Sequence, residues 1–177
     1  ENTLEINSVF SKKRQAIIDK AFNLTISTYP EGGISFLKGK HEQFTNPVGY
    51  NIYQSIQKIV DNLIADESLE SFVSSIEEII RIRAVQDFTP SQAVGFIFLL
   101  KKAIYDELYN DVDLFQLMGY LSRIDSLALI AFDIFMKYRE KIYIGGHEFK
   151  SPCFERKSDA TAWKSVKLAD RRQFDAT

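Results

Sequence analysis

The sequence predicts an all-α fold, a single bundle of five to six helices that ends in a long C-terminal helix. Three observations support this prediction. Apolar residues recur three and four positions apart through most of residues 4–143, which places them on one face of a helix. The 177 residues include only four prolines and eight glycines, so few positions interrupt a helix. Hydrophobic residues make up 45% of the chain, enough to build a sizeable core.

Four helices are predicted in the N-terminal half of the chain, over residues 4–29, 34–37, 48–66 and 69–86. The first ends at Tyr29-Pro30, because proline disfavours helical backbone in the residue before it. The segment FTNPVGY, which contains Asn46, Pro47 and Gly49, makes a turn before the third helix. The two longer helices after this turn carry isoleucine, leucine and valine along one face, so each is expected to pack against the core.

A fifth helix is predicted to begin at Pro90. Thr89 is a good N-cap residue, proline at the first helical position loses no hydrogen bond, and Gln92 can accept one from the Thr89 backbone N–H. The residues that follow, AVGFIFLLKKAIYDEL, begin with a run that is apolar on nearly every side, which is typical of a central helix with several neighbours. Gly95 costs about 1 kcal/mol of helix propensity relative to alanine, and close approach of another helix is the expected compensation.

The last helix is predicted to run from Asp113, with Gln116 at capping-box spacing, to about Tyr143. It should be about 45 Å long, whereas a compact domain of this size is under about 40 Å across, so it is expected to bend or protrude. Its apolar positions form a heptad seam: Leu114, Leu117, Leu121, Ile124, Ala128, Ala131, Phe135, Tyr138 and Ile142. A protruding seam needs a partner, so we predict a homodimer through these residues. The alternative is that this is the longest helix of the core.

The helical pattern stops after Ile144. Residues 145–177 have no sustained period, few aliphatic residues and mixed charge, and they are predicted to form a tail or linker. Residues 1–144 are therefore predicted to form one all-helical domain.

Charge and composition argue against several classes of partner. A formal net charge of −2 provides no general attraction to nucleic acid or anionic lipid. The densest apolar runs, residues 93–100 and 127–134, are too short to span a membrane. No segment like a secretory signal opens the chain, and the single Cys153 excludes an internal disulfide. A cytoplasmic protein that binds neither nucleic acid nor membrane is the expectation.

The sequence contains no recognisable catalytic, metal-binding or cofactor-binding motif. The segment GISFLKGKH has the wrong glycine spacing for a phosphate-binding loop, and His41 stands where that loop needs serine or threonine. His41 and His147 are the only histidines, and neither is placed to complete a metal cluster or to serve as an axial haem ligand. Cys153 lies in the predicted tail, which offers a nucleophile no rigid frame. The chain is therefore predicted to be no enzyme and to hold no cofactor.

Two charged residues interrupt apolar helix faces, Arg83 in the fourth helix and Asp125 in the last. Buried charges persist when they are paired, so an Arg83–Asp125 ion pair or separate local hydrogen bonds would explain them structurally. The functional alternative is that Arg83 or Arg81, with Asp125 nearby, anchors the acidic group of a ligand. The aromatic core could then enclose a small apolar or fatty-acid-like molecule.

Three segments of the chain resemble one bacterial family. They are FTNPVGY, RIRAVQDFTPSQAVGFIFLLKKAI and RIDSLALIAFDIFMKYREKIY, and together they resemble the RsbRD N-terminal domain of RsbT co-antagonist proteins over roughly residues 4–143. The most recognisable positions are Asn46, Pro47, Gly49, Arg81, Arg83, Phe88 to Gln92, and Asp125. The resemblance implies a cytoplasmic, all-helical sensory or regulatory module, compatible with the globin-like fold without haem of the related RsbR sensor domains, and it supplies no catalytic residues.

The chain departs from the family pattern in two places. No STAS domain follows the helical region, so control of a partner through such a domain is not carried over. The last helix gives way at Gly145-Gly146 to a tail unlike the family's continuation. The predicted function is therefore a non-enzymatic signal-transduction domain that acts through helix packing, dimerisation and a regulatory protein partner. The alternative is a ligand-binding module with an arginine anchor.

Overall fold

The computed structural model describes residues 2–30, 33–34, 37, 44–86 and 88–144. All regular structure among these residues is helical: α1 (Asn2–Ile26), α2 (Pro47–Ile64), a 3₁₀ turn (Leu69–Phe72), α3 (Val73–Ala84), α4 (Pro90–Val94), α5 (Phe96–Leu108) and α6 (Leu114–Ile144). The predicted all-α bundle with a long C-terminal helix is confirmed. None of the described helices is long and apolar enough to cross a membrane.

Some predicted features lie wholly or partly outside the described residues. The short helix predicted over residues 34–37 is described only at Ile34 and Leu37, both helical. His41, His147, Cys153 and the segment 145–177 also lie outside the described residues, so the tail or linker stays a prediction. The globin-like arrangement stays a prediction too.

Local side-chain bonds start three of the helices where the sequence places them. The Asn46 side chain accepts a hydrogen bond from the Gly49 backbone N–H at 2.9 Å, with Pro47 as the first residue of α2. Thr89 and Gln92 form the predicted capping box at the start of α4. Asp113 Oδ1 accepts from the first backbone N–H groups of α6.

The predicted central helix is not continuous. It is divided at Gly95 into α4 and α5, and the Phe98 N–H donates to the Gly95 carbonyl oxygen at 3.0 Å in a tight three-residue turn. The expected compensation for Gly95, a close neighbouring helix, is wrong. A Cβ there would lie 2.9 Å from the carbonyl oxygen of Ser91, so the crowding comes from the preceding turn of its own chain.

The helices pack around an aromatic and aliphatic core. Helix α1 lies against α2 and α5, α3 lies against α2 and α6, and α5 lies against α6. Five phenylalanines are almost fully buried in this core: Phe10, Phe22, Phe72, Phe96 and Phe135. Polar bonds at the rim join the same helix pairs, among them Lys20 Nζ to Glu107 Oε1 at 3.0 Å and the Tyr138 hydroxyl to Glu77 Oε1 at 2.9 Å. The core is thus shared by all the long helices rather than divided between layers.

The heptad residues of α6 face the chain's own core. Leu117, Ile124, Ala128, Ala131 and Phe135 are buried, Leu121 and Tyr138 pack against the buried cluster, and Leu114 is half exposed. The predicted dimer seam is therefore occupied by packing within one chain, which matches the alternative that α6 is a core helix. Homodimerisation itself stays a prediction and needs a different surface.

Candidate functional site

The most unusual polar group of the core is the Arg83 side chain, which is 0% exposed in the last turn of α3. Its Nη1 donates to the carbonyl oxygen of Gln92 in α4 at 2.8 Å. Its Nη2 donates to the carbonyl oxygen of Thr25 in α1 at 3.2 Å and to the hydroxyl of Thr28 at 3.0 Å. One planar group thus connects the C-terminal end of α1, the end of α3 and the start of α4. We call this region the Arg83 corner.

Aromatic rings enclose the same guanidinium. Its central carbon lies 5.2 Å from the ring centre of Tyr29, 4.9 Å from that of Phe88 and 5.6 Å from that of Phe96. The Tyr29 and Phe88 rings meet edge to face, with centroids 5.0 Å apart. The negative faces of aromatic rings attract a cation, and the attraction grows when water is excluded. These contacts compensate part of the hydration that Arg83 loses on burial.

The charge of Arg83 is not balanced by a carboxylate. Every acceptor of its hydrogen bonds is neutral, and none of the acidic side chains in the described ranges forms an ion pair with it. Burial lowers the pKa of Arg83 because the charged form loses hydration, and the neighbouring Tyr29 hydroxyl acts in the opposite direction. Burial likewise raises the pKa of Tyr29, and the charge of Arg83 opposes that rise. Among the described side chains of the corner, Arg83 is therefore a positive charge that no carboxylate balances.

Unsatisfied polar atoms collect at this corner. Among the described residues, the buried side-chain nitrogen and oxygen atoms without a hydrogen-bond partner are Thr25 Oγ1, Tyr29 Oη, Arg83 Nε and Gln86 Oε1. Nearly all buried polar groups in proteins have a partner, so each exception calls for an explanation. All four belong to the Arg83 corner, where the Tyr29 hydroxyl and the Arg83 guanidinium are close enough for a hydrogen bond that shifts the pKa of each group.

A cavity of about 370 Å³ opens beside the guanidinium. Its lining consists of Thr28, Tyr29, Pro30, Gln86, Phe88 and Gln92. Four of these residues, Thr28, Tyr29, Phe88 and Gln92, contact Arg83 through hydrogen bonds or ring faces, so Arg83 lies directly behind the cavity wall.

The residues predicted to bind a ligand are not brought together. Arg81 is exposed and donates to Glu78 at 2.7 Å and 2.8 Å. Asp125 lies on an exposed part of α6 and accepts from Lys101 at 2.7 Å and 2.8 Å. The Arg83–Asp125 ion pair considered from the sequence is therefore wrong. The two residues do have separate partners, but these are distant in sequence rather than local: Arg83 bonds to Thr25, Thr28 and Gln92, and Asp125 pairs with Lys101. Of the three, only Arg83 belongs to the cavity region.

Of the residues that line the cavity, Gln92 was predicted as a capping residue and Phe88 as a family position, but none was predicted to form a ligand site. Tyr29 was used only to end a helix, and Gln86 was not singled out. The available signal was the position of aromatic residues directly beside two helix boundaries, Tyr29 before Pro30 and Phe88 before Thr89. In the stretches that the structure describes, no group of three or more His, Cys, Asp or Glu side chains could hold a metal ion.

The fold and the site together define a helical domain with a buried charged corner and a small cavity beside it. The family model of the RsbT co-antagonist protein rsbRD N-terminal domain matches residues 15–148, and the chain belongs to this family. Membership identifies it as a regulatory sensor domain. No curated protein and no solved structure matches the chain.

Proposed function

We propose that this chain is a non-enzymatic, cytoplasmic signal-transduction domain of bacterial partner-switching pathways, and that it works as a homodimer whose helix packing changes with the signal. Its family is regulatory, and its regulatory protein partner would be of the RsbT type. The single observation that supports dimerisation is an apolar face of α6 that is turned to solvent.

This exposed face continues for most of the helix. Phe115, Met118, Leu129, Phe132 and Met136 are all exposed, Leu129 to 71%. With Ser122 and Asp125 they alternate three and four residues apart, which is the spacing of paired helices. We call these seven residues the outer face of α6. Large exposed apolar surfaces usually mark an interaction site.

A second copy of this chain fits the outer face better than an unrelated partner. A two-fold dimer places the same surface on both sides of the interface. The apolar residues at the two ends of the outer face would then contact apolar residues of the second copy, and the polar residues would lie at the centre. That centre is Asp125, whose charge is already neutralised by Lys101 of α5 within the same chain. Exposed Phe98 and Tyr105 on α5 extend the apolar surface beside it. Two copies could therefore pair without leaving an unmatched charge between them.

The Arg83 corner offers a route from a signal to this surface. It fixes the start of α4, which leads through Gly95 directly into α5, and α5 packs on α6. A ligand or partner that prefers one arrangement of the corner would shift the population of that arrangement. The shift would move α5 relative to α6 and so alter the dimer surface.

Sedimentation equilibrium tests dimerisation directly. The wild-type chain is expected to dimerise at tens of micromolar. Leu129→Glu should weaken the dimer about tenfold or more, because burying a leucine contributes about 1.5–3 kcal/mol and a buried unpaired charge is unfavourable. Val85→Glu is the matched control, since Val85 is 72% exposed but lies outside the outer face. A strictly monomeric wild-type chain, or equal effects of the two variants, contradicts the proposal.

A second candidate function is the binding of a small apolar or fatty-acid-like ligand with Arg83 near its acidic group. The cavity beside Arg83 favours it. Native mass spectrometry of the purified chain is expected to show a co-purifying small molecule. An empty chain that also fails to bind added apolar compounds argues against this candidate.

A further inference from the structure

We propose that a polar groove between α2 and α3 binds a neutral, polyhydroxylated molecule of about the size of a monosaccharide. The groove has a volume of about 390 Å³, and its walls are one face of α2, from Tyr50 to Lys58, and one face of α3, from Ser74 to Glu78. We call it the α2–α3 groove. Its lining shares no residue with the Arg83 corner or with the outer face of α6, so the inference goes beyond the functions proposed above.

The groove forms because short polar side chains stand where the two helices meet. On α2, Asn51, Ser55 and Lys58 follow one another at intervals of four and three residues, which places them on one side of the helix. On α3, Ser75 and Glu78 are three residues apart and lie on one side in the same way. The two helices pack against each other, and the Asn51 amide donates to Glu78 Oε1 across the groove at 3.4 Å. The serines are too short to fill the space between the helices, so a polar groove is left open.

Two serine hydroxyls in this lining are buried and have no partner. Ser55 and Ser75 are each only 5% exposed. A helical serine often donates to the carbonyl oxygen four residues earlier, as Ser11 does to Asn7 at 2.7 Å, but neither of these serines bonds to any residue that the structure describes. Unlike the Tyr29 hydroxyl, neither oxygen is fully enclosed by protein atoms. Because buried hydroxyls nearly always have a partner, these two are available to a molecule in the groove.

The more exposed residues of the lining offer further polar groups. Gln54, Lys58 and Ser74 use none of their side-chain atoms in hydrogen bonds or ion pairs within the described part of the chain. Together with the buried serines they present both donors and acceptors. Tyr50 is the only aromatic residue of the lining and adds an apolar ring. A molecule with several hydroxyl groups suits this lining, because each hydroxyl can both donate and accept.

The charges of the lining favour a neutral ligand. Glu78 is already paired with Arg81 at 2.7 Å and also accepts from Asn51. Lys58 is exposed, so water and salt screen its charge. The described side chains therefore offer an ion one opposite charge and one like charge, neither of them strongly desolvated.

The volume limits the ligand to a small molecule. About 390 Å³ is at the small end for ligand pockets, which range over roughly 300–1,000 Å³. A single sugar ring or a cyclic polyol fits this limit better than an oligosaccharide.

Titration of the ¹⁵N-labelled full chain with D-glucose and with myo-inositol, followed by two-dimensional NMR, tests the proposal. At least one of the two is expected to bind saturably with a dissociation constant of about 1 mM or lower. The largest amide shifts should fall within residues 50–58 and 74–78. Cyclohexanol, which has a ring but one hydroxyl, should bind at least tenfold more weakly. Glucose 6-phosphate should bind no more tightly than glucose.

Variants of the buried serines test the contact residues. Ser55→Ala combined with Ser75→Ala should weaken binding at least tenfold, whereas Ser8→Ala, at an exposed position of α1, should leave it unchanged. The double variant should melt no lower than the wild type, because alanine is the better helix former and the removed hydroxyls have no partner to lose. Gln54→Ala, which leaves both serines in place, should also weaken binding and decides the matter if the double variant fails to fold.

Three results overturn the proposal. They are the absence of saturable binding of both polyols, shifts that fall mainly outside the α2–α3 groove, and unchanged affinity in the folded serine or glutamine variants. Tighter binding of glucose 6-phosphate, or equal binding of cyclohexanol, overturns the neutral polyhydroxylated class.

Discussion

Arg83 joins three segments of the chain through hydrogen bonds that a lysine at the same position could not all form. Its three observed bonds leave in different directions, to α1, to the residues after α1 and to α4, and they share one rigid plane. An ammonium group is more compact and more strongly hydrated, so it reaches fewer of these acceptors and loses more on burial. The flat faces of Tyr29 and Phe88 also suit a planar cation.

Arg83→Lys is therefore expected to lower the free energy of unfolding by about 2 kcal/mol at pH 7, because hydrogen bonds from a charged donor are lost. Burial lowers the pKa of the cation at this position, and it should lower that of a lysine below the ordinary value of about 10.4. The unfolded variant then binds more protons than the folded one, so its stability should rise with pH up to about 10 relative to wild type. Urea unfolding at pH 7 and pH 9.5 measures this difference, and a constant gap would contradict it.

Gly49 and Gly119 are two helical glycines with opposite surroundings. A Cβ on Gly49 would collide with the carbonyl oxygen of Leu37 and with the capping side chain of Asn46. We expect Gly49→Ala to destabilise the fold by about 2 kcal/mol or more, despite alanine's better helix propensity, because the cap must move. Gly119→Ala meets nothing within 4 Å and should stabilise α6 by about 0.5–1 kcal/mol. Thermal unfolding of both variants provides the comparison, and a destabilised Gly119→Ala would refute the reasoning.

At the level of elements, helix starts were predictable because their signals are local. The bonds of Asn46, Thr89 and Asp113 span at most three residues, so the sequence alone contains both partners. The division at Gly95 was not predictable, since the apolar residues continue through it and only the backbone changes. The seam on α6 was misplaced for a related reason. Two faces of that helix follow heptad spacing, and the more apolar one is the one buried in the chain itself.

The capping box at the start of α4 should contribute measurably to stability. Thr89→Ala removes the side-chain acceptor of the Gln92 N–H and is expected to cost about 1 kcal/mol, whereas Thr89→Ser should restore most of it. Ser74→Ala, at an exposed position within α3, serves as a control and should change stability by less than about 0.5 kcal/mol. Denaturant unfolding measures the stability of the three variants, and their midpoints can be ranked directly if the slopes of the unfolding transitions are unchanged. Equal losses for Thr89→Ala and Ser74→Ala would show that the cap is unimportant.

At the level of the whole molecule, the candidate site depends on contacts that no local pattern contains. Thr28 and Arg83 are 55 positions apart in sequence, yet they share a hydrogen bond at 3.0 Å. The sequence did single out Arg83, because a charge on an apolar helix face is conspicuous, but it could not identify which segments would surround it. The cavity requires that the ends of α1 and α3 and the start of α4 meet, which only the packing of the long helices determines.

The packing of the whole chain also makes the domain boundary testable. All described helices and their shared core lie within residues 2–144, so a chain ending at residue 145 should keep its fold. Its melting temperature is expected to stay within about 4 °C of the full chain, a shift that corresponds to about 1 kcal/mol at this size. A chain ending at residue 137 is the control, since it removes Tyr138 and its bond to Glu77 at the α3–α6 contact and should melt well below both. Circular dichroism melts compare the three chains. If the chain ending at 145 melts as low as the one ending at 137, residues 146–177 belong to the folded domain and the predicted boundary is wrong.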